Sequence, residues 1–127
     1  MLALAVILSG FAMRANAQND AMKVMVDSVD INEVIDLKYI QLLGVKENGN
    51  LIMEVDYGAK LPATRRRIVD ADGTPQRFNS MVDALNFMDT NGWEFLNAFE
   101  VKSVEGKVYH FLLRRKEEIN MRDFTKN

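Results

Sequence analysis

Three consecutive arginines, Arg65, Arg66 and Arg67, with Arg77 further along the same connecting stretch, form the most distinctive polar group of the chain. Planar guanidinium forks bind phosphate, sulfate or carboxylate oxygens in pairs, so the pattern fits recognition of a small anion, an anionic glycan or an acidic patch on a partner. Asp70 and Asp72 follow closely. Charge runs ordinarily face water, so the simpler reading is a solvated loop balanced by its own aspartates. A second basic run, Arg114-Arg115-Lys116, is followed at once by Glu117-Glu118 and is neutralised locally.

Catalysis needs a nucleophile with its base, a paired acid and base, or a metal site. The chain has no Cys and a single His, which excludes Cys-His chemistry and multi-histidine metal centres. His110 has the parity opposite to Tyr109 and Phe111, so it points away from the expected core. Glu54, Glu94 and Glu100 are candidates to share that solvent face, where a carboxylate pair beside His110 would be the one route to hydrolysis. Charged outer faces are, however, ordinary for antiparallel sheets. Asp70-Ala71-Asp72-Gly73 lacks the third spaced acid and the closing Glu of a calcium loop and reads as a turn. Leu61-Pro62-Ala63-Thr64 is followed by Arg65 where a sortase signal needs Gly. No catalytic residue, metal or cofactor is expected.

The elements that would position these groups centre on residues 78–115. Ser80 caps a helix, with Asp83 in the place of a capping-box partner, and Met81, Leu85 and Met88 repeat on one face. Asn91-Gly92-Trp93 ends it, with Gly92 free to take a left-handed conformation and Trp93 placed against Met88. Trp93, Phe95, Phe99 and Val101 then alternate with polar residues as a half-buried strand broken at Asn97. Tyr109, Phe111 and Leu113 form its hairpin partner. A three-residue loop ending at Gly106 sets Phe99 opposite Phe111 and Val101 opposite Tyr109.

Upstream, Ile35, Leu37, Tyr39, Leu43 and Val45 form the expected core face of a first strand, and Leu51, Met53, Val55 and Tyr57 that of a second. Asn48-Gly49 marks the turn between them. Here too, matching the apolar faces favours a three-residue loop, pairing Val45 with Leu51 and Leu43 with Met53. Gly58 to Arg77 reads as a long surface connection in which Ile68-Val69 could form a brief strand. The expectation is an α+β fold of two layers, one helix on an antiparallel four-stranded sheet in the order ββαββ. Met88, Gly92, Trp93, Phe99 and Phe111 are its structural anchors, with truncation most damaging at Trp93 and Phe111.

The 127 residues, 48% of them hydrophobic, suit one domain. An apolar run from Leu2 to Ala12 leads into Ala15-Asn16-Ala17, an A-x-A cleavage triplet, so residues 1–17 read as a signal peptide although no Lys or Arg precedes the run. Residues 18–33 read as a flexible lead-in, 34–116 as the domain and 117–127 as a polar tail. The net charge of −2 makes no electrostatic case for nucleic acid or an anionic membrane, and no integral membrane segment is expected after processing.

The stretch Phe78 to Met88, then Gly92-Trp93-Glu94-Phe95 and Tyr109 to Arg115, resembles small secreted proteins of unassigned function from gut Bacteroidetes. More distantly it is similar to the family named domain of unknown function 4177, in which a short helix ends in Gly-Trp-Glu and a closing strand ends in basic residues. The resemblance covers the last third of the chain and implies fold and export, with no catalytic residues to carry over. Together these readings lead us to expect an exported, non-enzymatic interaction module, periplasmic or at the cell surface. It would bind a protein partner or itself through its sheet, since the two edges of an open sheet must be covered, charged or paired. The alternative is an anion- or glycan-binding protein using the arginine loop.

Overall fold

The structure, a computed structural model, describes residues 22–104 and 106–117. The expected signal peptide, positions 18–21 of the lead-in and positions 118–127 of the tail lie outside the described residues. In chain order the elements are β1 (Met25–Val26), β2 (Val29–Asp30), β3 (Tyr39–Glu47), β4 (Asn50–Asp56), α1 (Met81–Thr90), β5 (Trp93–Ser103) and β6 (Gly106–Arg115). Single 3-10 turns occupy Ile31–Glu33 and Ala63–Arg65. The protein is α+β: among the described residues, one α-helix accompanies a four-stranded antiparallel sheet of order β4-β3-β6-β5 and a small β1-β2 hairpin.

The helix forms where its caps place it. Ser80 Oγ accepts a hydrogen bond from the Asp83 N–H at 3.1 Å, and the Asp83 carboxylate accepts one from the Asn79 N–H at 2.9 Å. Between them they satisfy two backbone donors at the start of the helix. At the other end Gly92 takes φ +96°, a conformation that a side chain would strain. Its N–H donates to the Asp89 carbonyl, and Lys116 Nζ donates to the same carbonyl at 2.7 Å, a cation at the negative end of the helix dipole. Ala84 and Met88 are fully buried, with Met81, Leu85 and Phe87 packed beside them.

The face of the sheet that shares this buried cluster carries Ile40 and Leu42 of β3, Met53 and Val55 of β4, Trp93 of β5 and Leu113 of β6. For β3 this is the parity opposite to expectation. Leu43 and Val45 lie on the other face, Tyr39 is half-exposed, and Ile35 is 87% exposed outside the strand. The cause is the turn. Asn48 and Gly49 have φ +53° and +80° and make a two-residue loop, so Leu43 pairs with Glu54 and Val45 with Ile52. Gly44 falls on the core face, where a Cβ would come within 2.5 Å of Met81 Sδ.

The second hairpin also closes on two residues. Ser103 pairs with Gly106, which sets Phe99 opposite His110 and Val101 opposite Val108 in place of the expected partners. A β-bulge between Phe95 and Asn97 reverses the parity of β5, the structural meaning of the break seen at Asn97. Trp93 and Phe95 therefore share a face with Phe111, whose ring lies 6.1 Å from that of Phe95. Phe99 and Val101 turn to the opposite face, so Phe99 is not a core anchor.

The lead-in is not flexible where it is described: Val24, Val26 and Ile31 are fully buried. The Ile31 N–H donates to the Val24 carbonyl at 3.0 Å, and Asp30 Oδ1 accepts from the N–H groups of Val24 and Asn32. Asn32 ties this turn to the distant core. Its Oδ1 accepts from Trp93 Nε1 at 2.7 Å, and its Nδ2 donates to the carbonyls of Met22 and Asn91. Arg115 completes the knot by stacking 5.2 Å over the Trp93 ring and donating to the Ile31 carbonyl at 2.8 Å.

Candidate functional site

The long connection between β4 and α1, which holds the arginines, is largely built into the sheet. Positions 66–69 bond on both sides. The Ile68 N–H and the Arg66 carbonyl join Met53 and Val55 of β4, while the Val69 N–H and the Arg67 carbonyl join Met25 and Asp27 at β1. Ile68 is fully buried. The segment thus covers the β4 edge and links it to the β1-β2 hairpin.

The arginines do not converge: Arg65 ends the 3-10 turn, Arg66 caps it, and only Arg67 lies in the extended run beside β4. Arg65 Nε lies 3.4 Å from Asp27, and Arg67 Nη2 lies 2.6 Å from Glu47. Neither partner is the expected Asp70 or Asp72; Asp70 instead accepts from the Asp72 and Thr74 N–H groups of its own turn. Arg66 lines a shallow cleft of about 570 Å3 with Asp56, Lys60 and Leu61. Its Nε is buried without a hydrogen-bond partner. Arg77 is exposed.

The second basic run is also distributed. Arg114 donates two hydrogen bonds to Glu94 Oε1, at 2.7 and 2.9 Å, and this carboxylate holds the guanidinium protonated above its ordinary value. Arg115 and Lys116 are committed to Trp93 and to the end of α1, as described above.

His110 does face away from the core cluster. Its Nδ1 is 3.3 Å from Gln41 Oε1, and its ring stacks on Phe99 at 5.4 Å. Leu43 separates it in register from Glu54. Glu100 pairs with Tyr109 and, after the bulge, lies on the α1 face rather than beside His110. The three glutamates and the histidine are therefore not one cluster.

This outer face mixes apolar with polar residues. Across the ladders one row reads Glu54, Leu43, His110, Phe99, and the next reads Asp56, Gln41, Leu112, Asn97. Val45 with Ile52, and Val101 with Val108, extend it toward the turns. None of Leu43, Val45, Ile52, Leu112, Phe99 or Val101 belongs to the buried cluster. Arg67 is bridged to Glu54 while Glu47 pairs with Asn50, so their ion pair spans the Ile52 position, and Ile52 is only 4% exposed. Toward β5 the cover ends: Phe99 is 38% and Val101 40% exposed.

The strand carrying them is the edge. Among the described residues β5 has β6 on one side and no strand on the other, and every residue from Phe95 to Lys102 is exposed. Val104 at the hairpin tip is fully exposed. An aromatic and β-branched edge strand of this length is the kind that other chains pair with.

No protein family's profile matches the chain, and no curated protein or solved structure matches it. Among the described residues no helix is long and apolar enough to cross a membrane, and no group of three or more His, Asp or Glu side chains is placed to hold a metal ion.

Proposed function

We propose that this protein is an exported, non-enzymatic interaction module. In this reading β3, β4, α1, β5 and β6 form a two-layer ββαββ domain whose uncovered sheet face and β5 edge bind another polypeptide. The observation that carries it is the set of apolar residues of the outer face that stand outside the buried cluster and reach an open edge at Phe99 and Val101. Exposed apolar patches rimmed by polar groups mark interaction sites, and Tyr39 and the Glu94–Arg114 pair supply such a rim. Export rests on the N-terminal apolar run and the A-x-A triplet; the relationship to secreted Bacteroidetes proteins and to domain of unknown function 4177 is part of the same proposal.

The test is cross-linking in the host envelope fraction, comparing the wild-type chain with F99S/V101S. The double variant is expected to lose the cross-linked partner while keeping its thermal midpoint. Equal yields from both would count against the surface. Sequencing of the recovered protein is expected to begin at Gln18, and retention of Met1 would remove the export argument.

A second reading has one observation behind it, the buried and unpartnered Arg66 Nε beside Lys60. An anion bound there would be held by Arg66 rather than by the whole arginine run. Arg66→Ala leaves the ion pairs of Arg65 and Arg67 in place, so titration with inorganic sulfate should show affinity lost in that variant. An unchanged affinity sinks the reading.

A further inference from the structure

The chain contains two Asn-Gly pairs, Asn48-Gly49 and Asn91-Gly92. Glycine has no Cβ to shield its backbone nitrogen, so an asparagine that precedes it is open to attack by that nitrogen on the asparagine side-chain amide. The fold treats the two pairs in opposite ways. Asn91 is 6% exposed, its Oδ1 accepts from the Lys23 N–H at 3.3 Å, and its Nδ2 donates to the Phe87 carbonyl at 2.8 Å. The attacking group is held as well, since the Gly92 N–H donates to the Asp89 carbonyl. Asn48 is exposed, and among the described residues no hydrogen bond holds its side-chain amide. Gly49 lies inside the two-residue loop that the Glu47–Asn50 pair closes, so its N–H is outside the ladder. Apart from its chain neighbours, nothing stands within 4 Å of where a Gly49 Cβ would be.

We propose that Asn48 is a site of spontaneous modification, deamidation through a cyclic imide, and that the fold protects Asn91 from the same reaction. The Gly49 nitrogen bonds to Asn48 Cγ, the Cγ–Nδ2 bond breaks, and ammonia leaves with the proton that Gly49 gives up. Water then opens the imide. Addition of water at Cγ restores the ordinary main chain and leaves aspartate. Addition at the main-chain carbonyl carbon of residue 48 leaves isoaspartate, whose main chain runs through Cβ and Cγ. Both products carry a new carboxylate beside Glu47, whose own carboxylate lies 2.6 Å from Arg67. Isoaspartate also lengthens the main chain of the loop. A two-residue turn with φ +53° at Asn48 and +80° at Gly49 does not accommodate the added atom. The effect reaches the sheet because β3 is apolar on both faces, with Ile40 and Leu42 inward and Leu43 and Val45 outward. Side-chain matching alone does not fix the register of such a strand. The pairs Leu43–Glu54 and Val45–Ile52 therefore depend on the turn that isoaspartate disrupts.

The test is incubation of the full chain in mildly alkaline buffer, with peptide mapping of the amide-to-acid mass change and of isoaspartate at each position. In the folded chain Asn48 is expected to react about tenfold or more faster than Asn91, which must first be released by unfolding. In urea the two rates should converge, since both asparagines precede glycine. The isoaspartate form, separated from the unreacted chain, should melt below N48D, which carries the same charge on an ordinary main chain. No reaction at Asn48, equal rates at the two positions in the folded chain, or a difference that survives in urea would overturn the proposal. An isoaspartate form as stable as N48D would overturn the dependence of the register on this turn.

Discussion

The two edges of the main sheet are treated in opposite ways. Along β4 the chain returns, and positions 66–69 bond to Met53 and Val55 on one side and to the β1-β2 hairpin on the other. Ile68 between them is fully buried. Along β5 nothing described returns: Phe95 to Lys102 is exposed, with Phe95 on one face and Phe99 and Val101 on the other. The same contrast runs within β5 itself. Its first residue, Trp93, is fully buried and bonded to Asn32, while Val101 eight positions on is 40% exposed. One end of the sheet is closed by the chain itself, and the other leaves apolar residues exposed.

If that contrast is real, the largest losses should come from the covered end. Removing residues 22–33 takes away Val24, Val26 and Ile31, each worth roughly 1.5–3 kcal/mol of burial. That total approaches the whole stability of about 5–15 kcal/mol of a domain this size, so the truncated chain should show no cooperative urea transition. A normal transition would mean that the lead-in is dispensable. Trp93→Ala should cost about 3–5 kcal/mol in the same measurement, since it also strands Asn32 and Arg115. Asn32→Ala, which leaves Trp93 Nε1 and the Asn91 carbonyl without this partner, should cost about 2–4 kcal/mol. Ser80→Ala removes a helix cap and should cost about 1 kcal/mol. At the open edge F99S/V101S, which removes two half-buried side chains, should cost no more than about 1 kcal/mol, far below Trp93→Ala. A large loss there would show that the outer half of β5 belongs to the core.

The helix was legible in the sequence because its signals are local: Ser80, Asp83, the Met81–Met88 spacing and Gly92 all act within one or two turns. The α+β class and the antiparallel pairing followed from the strand periods and the turn residues. Strand parity was not legible. β3 is apolar on both faces, with Ile40 and Leu42 inward and Leu43 and Val45 outward. Matching apolar to apolar then has two solutions, and Asn48-Gly49 resolves them only if its two-residue turn is given priority over the matching. In β5 the bulge reverses the faces between Phe95 and Phe99, and Asn97 was its one visible trace. The buried lead-in was missed for another reason. Val24, Val26 and Ile31 have no shared period, and what holds them down is Asn32, whose partners Asn91 and Trp93 lie about sixty residues away. The arginine run reads as a unit because it is contiguous, yet the change from a 3-10 turn at Arg65 to extended chain at Arg67 and the separate partners Asp27 and Glu47 disperse it.

The open β5 edge is the claim on which the functional reading stands, and residue-resolved amide exchange tests it most directly. The Lys102 N–H should exchange within about tenfold of the free-peptide rate, while Val55 and Ile68 exchange only through global unfolding. If Lys102 is as protected as Val55, the chain covers that edge itself, and the account is contradicted.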